Sequence, residues 1–113
     1  MSLRIDQLIE FIKDDPQDPF NHYALALEYR KTNERRALEI FEDLVKNHPQ
    51  YIPVYYQLGG LYVHFGETEK AVRTFRDGIA IARQHGDHKT VRELDAGLQE
   101  LLESEDWQAV RKK

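Results

Sequence analysis

The chain has 113 residues, 41% hydrophobic and 32% charged, which suits one small domain with a modest core and excludes a disordered polymer. Sixteen basic and twenty acidic residues give a formal net charge of -4, with the two signs interspersed, which argues against a nucleic-acid-binding surface. There is no cysteine, so disulfides, thiolate catalysis and thiolate metal sites are excluded together, and a reducing, cytoplasmic setting is expected.

The opening stretch MSLRIDQLIEFIKDDPQ is apolar but interrupted by Asp6, Gln7 and Glu10, so it reads as neither a signal peptide nor a membrane span. Ile5, Leu8, Ile9 and Ile12 fall on one face at helical spacing, predicting a helix over 3–13 that DDPQDP ends. Asp18 and Pro19 start a second helix: the carboxylate can cap free N–H groups, and a proline at the first position sacrifices an N–H that has no partner. That helix runs to about Lys31. Asn33 caps a third helix, whose stripe is Ala37, Leu38, Ile40, Phe41, Leu44 and Val45, and which ends before Pro49.

Pro53 starts a fourth helix, which Gly66 closes, and a fifth follows from about Thr68 to Gln84. The turn at 85–87 leads into a sixth helix over 87–103 with a stripe of Val91, Leu94, Leu98, Leu101 and Leu102. Thr90 and Glu93, at capping-box spacing, offer a later start. Residues 104–113 form a tail with the single tryptophan and no assigned element.

Internal self-similarity organises these helices. Ala37 and Phe41 recur as Ala71 and Phe75, each 34 residues on, whereas Leu25 and Tyr29 recur as Leu58 and Tyr62, each 33 on, so one residue is missing from the first inter-helix turn. The second unit reads Tyr55-x-x-Leu58-Gly59-x-x-Tyr62, Gly66, Ala71-x-x-x-Phe75. The first reads His22-x-x-Leu25-Ala26-x-x-Tyr29, Asn33, Ala37-x-x-x-Phe41, Pro49.

This pattern resembles the tetratricopeptide repeat over residues 19 to about 85. The resemblance implies an all-α fold, a right-handed stack of antiparallel helical hairpins forming a short α-solenoid, with repeats at 19–51 and 52–85. Residues 3–13 and 87–103 act as flanking helices, the latter a cap or partial third repeat, within one domain over 1–103. Three departures stand out: His22 where the family favours Trp, the shortened first turn with Asn33 in place of Gly, and Arg83 where the closing Pro would be, which lengthens the fifth helix by about a turn. Small residues at Ala26 and Gly59 let the first helix of a hairpin approach the second, with Ala37 and Ala71 as matching small residues, while Tyr62 and Phe75 fill the layer between hairpins.

Chemistry is hard to assemble from these residues. The serines, Ser2 and Ser104, lie near the ends, and the histidines and acids are scattered over helix faces, so a non-catalytic protein with no cofactor is expected. His85, Asp87 and His88 form a compact cluster of metal-ligand types, but a turn at Gly86 and a helix start explain the same residues, and a metal or enzymatic role there is the weakest reading.

What remains is a surface for another polypeptide. In the tetratricopeptide family the first helices of successive repeats line a concave groove. The resemblance therefore implies a peptide-binding set of Tyr23, Leu27, Arg30 and Lys31 from the first repeat and Tyr56, Gln57, Gly60, Val63 and His64 from the second. Members that clamp a chaperone tail use a Lys and Asn pair in the first repeat and an Asn in the second; Tyr23, Leu27 and Gln57 stand there, so such a clamp is not expected. The partner is a protein or peptide segment, with neither nucleic acid nor membrane. The alternative is a homo-oligomeric scaffold whose groove is filled by self-association. Gly59 has a packing reason, whereas Gly60, the counterpart of Leu27, is expected to leave room in the groove for a ligand.

Overall fold

The computed structural model describes residues 3–112, which leaves Ser2 outside the described residues. Among these, all the regular elements are α-helices: α1 (Leu3–Asp14), α2 (Pro19–Arg30), α3 (Glu34–Asn47), α4 (Pro53–His64), α5 (Thr68–Gln84), α6 (His88–Leu102) and α7 (Glu105–Arg111). Compact packing divides the chain into two units between Val54 and Tyr55.

In the first unit α2 packs against both α1 and α3. The core is Leu8 of α1, Leu25 and Ala26 of α2, and Ala37, Ile40, Phe41 and Leu44 of α3, the last four at the i, i+3, i+4, i+7 spacing of one helix face. The start of α2 is set as the sequence requires: the Asp18 carboxylate accepts from the Phe20 N–H at 3.0 Å and Pro19 occupies the first turn.

The shortened turn has a local explanation. The Asn33 N–H donates to the Tyr29 carbonyl at 2.6 Å, while its side-chain oxygen accepts from the Arg36 N–H at 3.2 Å. One residue thus closes α2 and caps α3, and with φ at -146° it has no need of the left-handed backbone that favours glycine. In the second unit the two tasks are separate. The Gly66 N–H donates to the Val63 carbonyl at 3.0 Å and the Glu67 N–H to the Tyr62 carbonyl at 2.8 Å, the paired bonds of a Schellman motif, with Gly66 at φ 73°. Glu67 then precedes α5 without a side-chain cap.

In the second unit α5 packs against α6 and α7. It spans 17 residues against 14 for α3, the lengthening expected from Arg83 in place of a closing proline. The contact at Gly59 shows which group needs the space. A Cβ built there would lie 2.7 Å from Cε1 and 2.8 Å from Cζ of Phe75 on α5, so the glycine is a socket for that ring. The same ring lies 3.5 Å from a Cβ built on Gly97 of α6, which places Phe75 inside the unit between two glycines. Gly78, unremarked in the sequence, repeats the device: its built Cβ would stand 2.6 Å from Tyr55 Cβ and 2.9 Å from Leu94 Cδ1.

Two further departures concern helix ends. Asp87, not Thr90, caps α6: its carboxylate accepts from the Thr90 N–H at 3.1 Å and the Thr90 hydroxyl at 2.6 Å, so the helix begins at His88 and the later start does not occur. Residues of the tail form α7. The Ser104 hydroxyl donates to the Leu101 carbonyl at 2.6 Å and accepts from the Trp107 N–H at 3.2 Å, turning the chain from α6 into α7 in one step.

Candidate functional site

Phe20, Tyr23, Ala24, Leu27 and Glu28 on α2 and Lys31 at its C-cap follow one another at i+3 and i+4 spacing and therefore share a face. With Arg4 of α1 they line a pocket of about 460 Å³. Phe20 is 56% exposed at its edge. Tyr23 is half-buried and held on both sides, 5.9 Å from the Phe41 ring centroid and edge-on to Tyr51 at 5.5 Å, so it forms a fixed wall. Burial, and after it the neighbouring Tyr23 and Asp18, raises the Tyr51 phenol above its ordinary value. Lys31 Nζ lies 3.0 Å from Glu28 Oε2, an exposed i, i+3 pair that restrains its ammonium little.

Of the residues predicted to bind, Tyr23, Leu27 and Lys31 come together in this pocket, and Arg30 is half-buried outside its lining. Those of the second unit lie on α4, where Tyr56, Gly60, Val63 and His64 share a face by helical spacing. Tyr56 and Val63 are 53% and 47% exposed, Gln57 and Gly60 are half-buried, and the His64 ring stands edge-on to Phe65 at 5.1 Å. The first pocket also contains residues the sequence reasoning missed. Phe20, Ala24 and Glu28 were within its reach, one helical turn from Tyr23 and Leu27; Arg4 was not, because only the packing of α1 on α2 brings it there.

The cluster at 85–88 is a turn. Gly86 has φ 68°, Asp87 is engaged by Thr90, and His85 and His88 are exposed. Among the described residues no three or more His, Asp or Glu side chains converge on a common metal position. Nor is any described helix long and apolar enough to cross a membrane.

Residues 17–105 match the family model described as anaphase-promoting complex subunit 5, a tetratricopeptide-like family. A tetratricopeptide repeat domain protein from Salinibacter ruber, solved by NMR, is 43% identical over 77% of this chain and 89% of its own, with a TM-score of 0.73. A crystal structure of a tetratricopeptide repeat domain protein from the same organism gives 41% identity, coverage of 76% and 98%, and a TM-score of 0.74. The chain belongs to the tetratricopeptide repeat family.

The TPR2B domain of yeast Sti1, solved in complex with pHsp70, is a fold likeness of this tetratricopeptide repeat protein: 16% identity over 86% of this chain and 78% of that one, TM-score 0.78. No curated protein matches the chain. The fold is an all-α helical repeat, and two of the departures from the tetratricopeptide pattern, the turn at Asn33 and the histidine at position 22, have a local cause. At the position of the customary tryptophan, the His22 Nε2–H donates to the Pro16 carbonyl at 2.8 Å and ties α2 to the connection before it.

Proposed function

We propose that this tetratricopeptide repeat chain is a non-catalytic protein-interaction module that holds an extended or helical segment of a partner on the exposed face of α2, with the exposed face of α4 offering a surface of the second unit for the same task. The pocket between α1 and α2 carries this reading: Phe20, Tyr23 and Leu27 offer apolar and aromatic surface, with Arg4 and Lys31 beside it. Exposed aromatics next to a hollow are the side chains that contribute most when a partner buries them. In the second unit the exposed Tyr56 and Val63 on α4 offer side chains of the same kinds. The Sti1 domain, of similar fold, is itself seen in a complex, which supports the fold's suitability for the task.

The test begins with cross-linking in native cells to identify the partner, followed by titration of the purified partner. Phe20→Ala, Tyr56→Ala and Arg30→Ala are expected to weaken binding by about tenfold or more with helicity and melting temperature nearly unchanged. Gly60→Leu is expected to keep or raise the melting temperature and block binding. Undiminished affinity in all four variants sinks the reading, and unfolding in the alanine variants reassigns those residues to the core. A second copy of the chain is the alternative occupant, and a concentration-independent monomer in light scattering after size exclusion counts against it.

A further inference from the structure

The first unit has a second concavity on the opposite side of α2. His22 and Leu25 lie roughly half a helical turn from the Phe20, Tyr23 and Leu27 face. Between α1 and α3, with these two residues on its floor, lies a cleft of about 610 Å³. That is larger than the α1–α2 pocket and within the range of small-molecule sites, roughly 300–1,000 Å³. Its depth is aliphatic: Ile9 and Ile12 from α1, Leu25 from α2, Ile40 and Leu44 from α3. Leu25, Ile40 and Leu44 are buried, whereas Ile9 and Ile12 keep part of their surface exposed.

The cleft follows from a sequence departure. At the position equivalent to His22 the second unit has Tyr55, 3% exposed and packed by its Cβ toward Gly78. In the first unit an imidazole replaces the large ring and is drawn to the Pro16 carbonyl, so the volume a tryptophan would take stays open.

Polar groups gather at one end. Because α2 turns back from α1 and α3 turns back from α2, the end of α1, the start of α2 and the end of α3 lie together, and Lys13, Gln17, Asn47 and His48 line the cleft there. Each can donate a hydrogen bond. Lys13 pairs with Glu10 at 3.1 Å, but both side chains are about two-thirds exposed (66% and 68%), and such a pair yields readily to a better-placed anion. Asp43 is the acid in the lining, and Arg36, 3.6 Å from Glu39, stands toward the start of α3.

We infer that this cleft binds a small amphiphile with an aliphatic chain and an anionic head, the chain lying along Ile9, Ile12, Leu25 and Ile40 and the head meeting Lys13, Asn47 and His48. A helix of a partner protein is the competing occupant. It would need groups complementary to Arg36, Asp43 and Asn47 along α3 as well as to Lys13 on α1, whereas a chain with one anionic head needs polar partners only at the end where Lys13, Asn47 and His48 gather.

The probe is decanoate, titrated into the full chain and followed by amide correlation spectra, with decanol and decyltrimethylammonium as controls. Saturable shifts at Ile9, Leu25 and Ile40, with α5 and α6 unmoved, are the expected result. His22→Trp, which fills the cleft, is expected to weaken decanoate by about tenfold or more while the melting temperature holds. Lys13→Glu, an exposed change, is expected to weaken decanoate and leave decanol unaffected. Shifts spread through both units, equal affinity for decanoate and its cationic analogue, or indifference to Lys13→Glu overturn the proposal. So does a polypeptide partner that protects Ile9 and Ile40 from exchange while decanoate leaves them unmoved.

Discussion

All four prolines of this chain fall in its first unit and all six glycines in its second. Both units build the same helical hairpin, yet the first shapes its turns by fixing backbone angles and the second by permitting unusual ones. Pro19 and Asn33 set the ends of helices with ordinary dihedrals and side-chain oxygens, while Gly66 and Gly86 do so with φ of 73° and 68°. The cores differ in the same sense. Both bury alanines completely, Ala26 and Ala37 in the first and Ala71 and Ala82 in the second, but the second adds glycines set against large side chains, Gly59 and Gly97 against Phe75 and Gly78 against Tyr55 and Leu94. A repeat pattern thus prescribes where a small residue is needed, and the ring opposite decides whether a methyl group still fits.

The largest effect should come from adding a methyl group at the glycine sockets. Gly78→Ala meets Tyr55 Cβ, an atom that no rotamer change can move, and is expected to cost roughly 1–3 kcal/mol and lower the melting temperature by several degrees. Gly59→Ala meets the Phe75 ring edge, which can shift where the Tyr55 Cβ cannot, and should cost less; the gain in helix propensity, about 1 kcal/mol, offsets part of the clash at both sites. In the first unit the direction reverses: Ala26→Gly is expected to destabilise. Thermal melts of the three variants decide this, and stabilisation by either glycine replacement would break the comparison of the cores.

A smaller effect is expected at the turns. Gly66→Ala and Gly86→Ala place a Cβ in open space but at positive φ, so each should cost about 1 kcal/mol from backbone strain alone. Asn33→Gly, by contrast, loses a capping oxygen without gaining a needed conformation and should cost only a few tenths. Chemical denaturation midpoints would order the three.

The smallest effect is pH-dependent and belongs to the second unit. Side-chain and backbone hydrogen bonds from Thr90 hold the Asp87 carboxyl below its ordinary value. A carboxyl depressed in the folded state contributes stability above its unfolded value, and this is lost as pH falls through the folded one. Wild type should therefore lose more stability than Asp87→Asn when acidified below the ordinary carboxylate range, and parallel denaturation curves would remove Asp87 as a source of that loss.

The helices from α1 to α6 were legible because apolar spacing and punctuation by Pro, Asp, Asn and Gly agreed at nearly every end. The helix α7 was not foreseen, although Ser104 followed by Glu105 and Asp106 is a cap with acids in the first turn; a seven-residue helix without buried residues has no apolar stripe to betray it. The repeat named the faces of α2 and α4, because position within a repeat fixes direction on a helix. It could not supply Arg4, which reaches the α2 pocket from another helix, nor the α1–α3 cleft, which depends on a volume left unfilled at His22.

The Phe75 ring has a spectroscopic use. Seated against Gly59 and Gly97, it directs its ring current at protons of two residues that have no side-chain signals to obscure them. Their resonances should therefore be displaced from ordinary glycine positions. Return toward those positions on warming, titration or mutation would mark, in one spectrum and without a label, the moment α4, α5 and α6 separate.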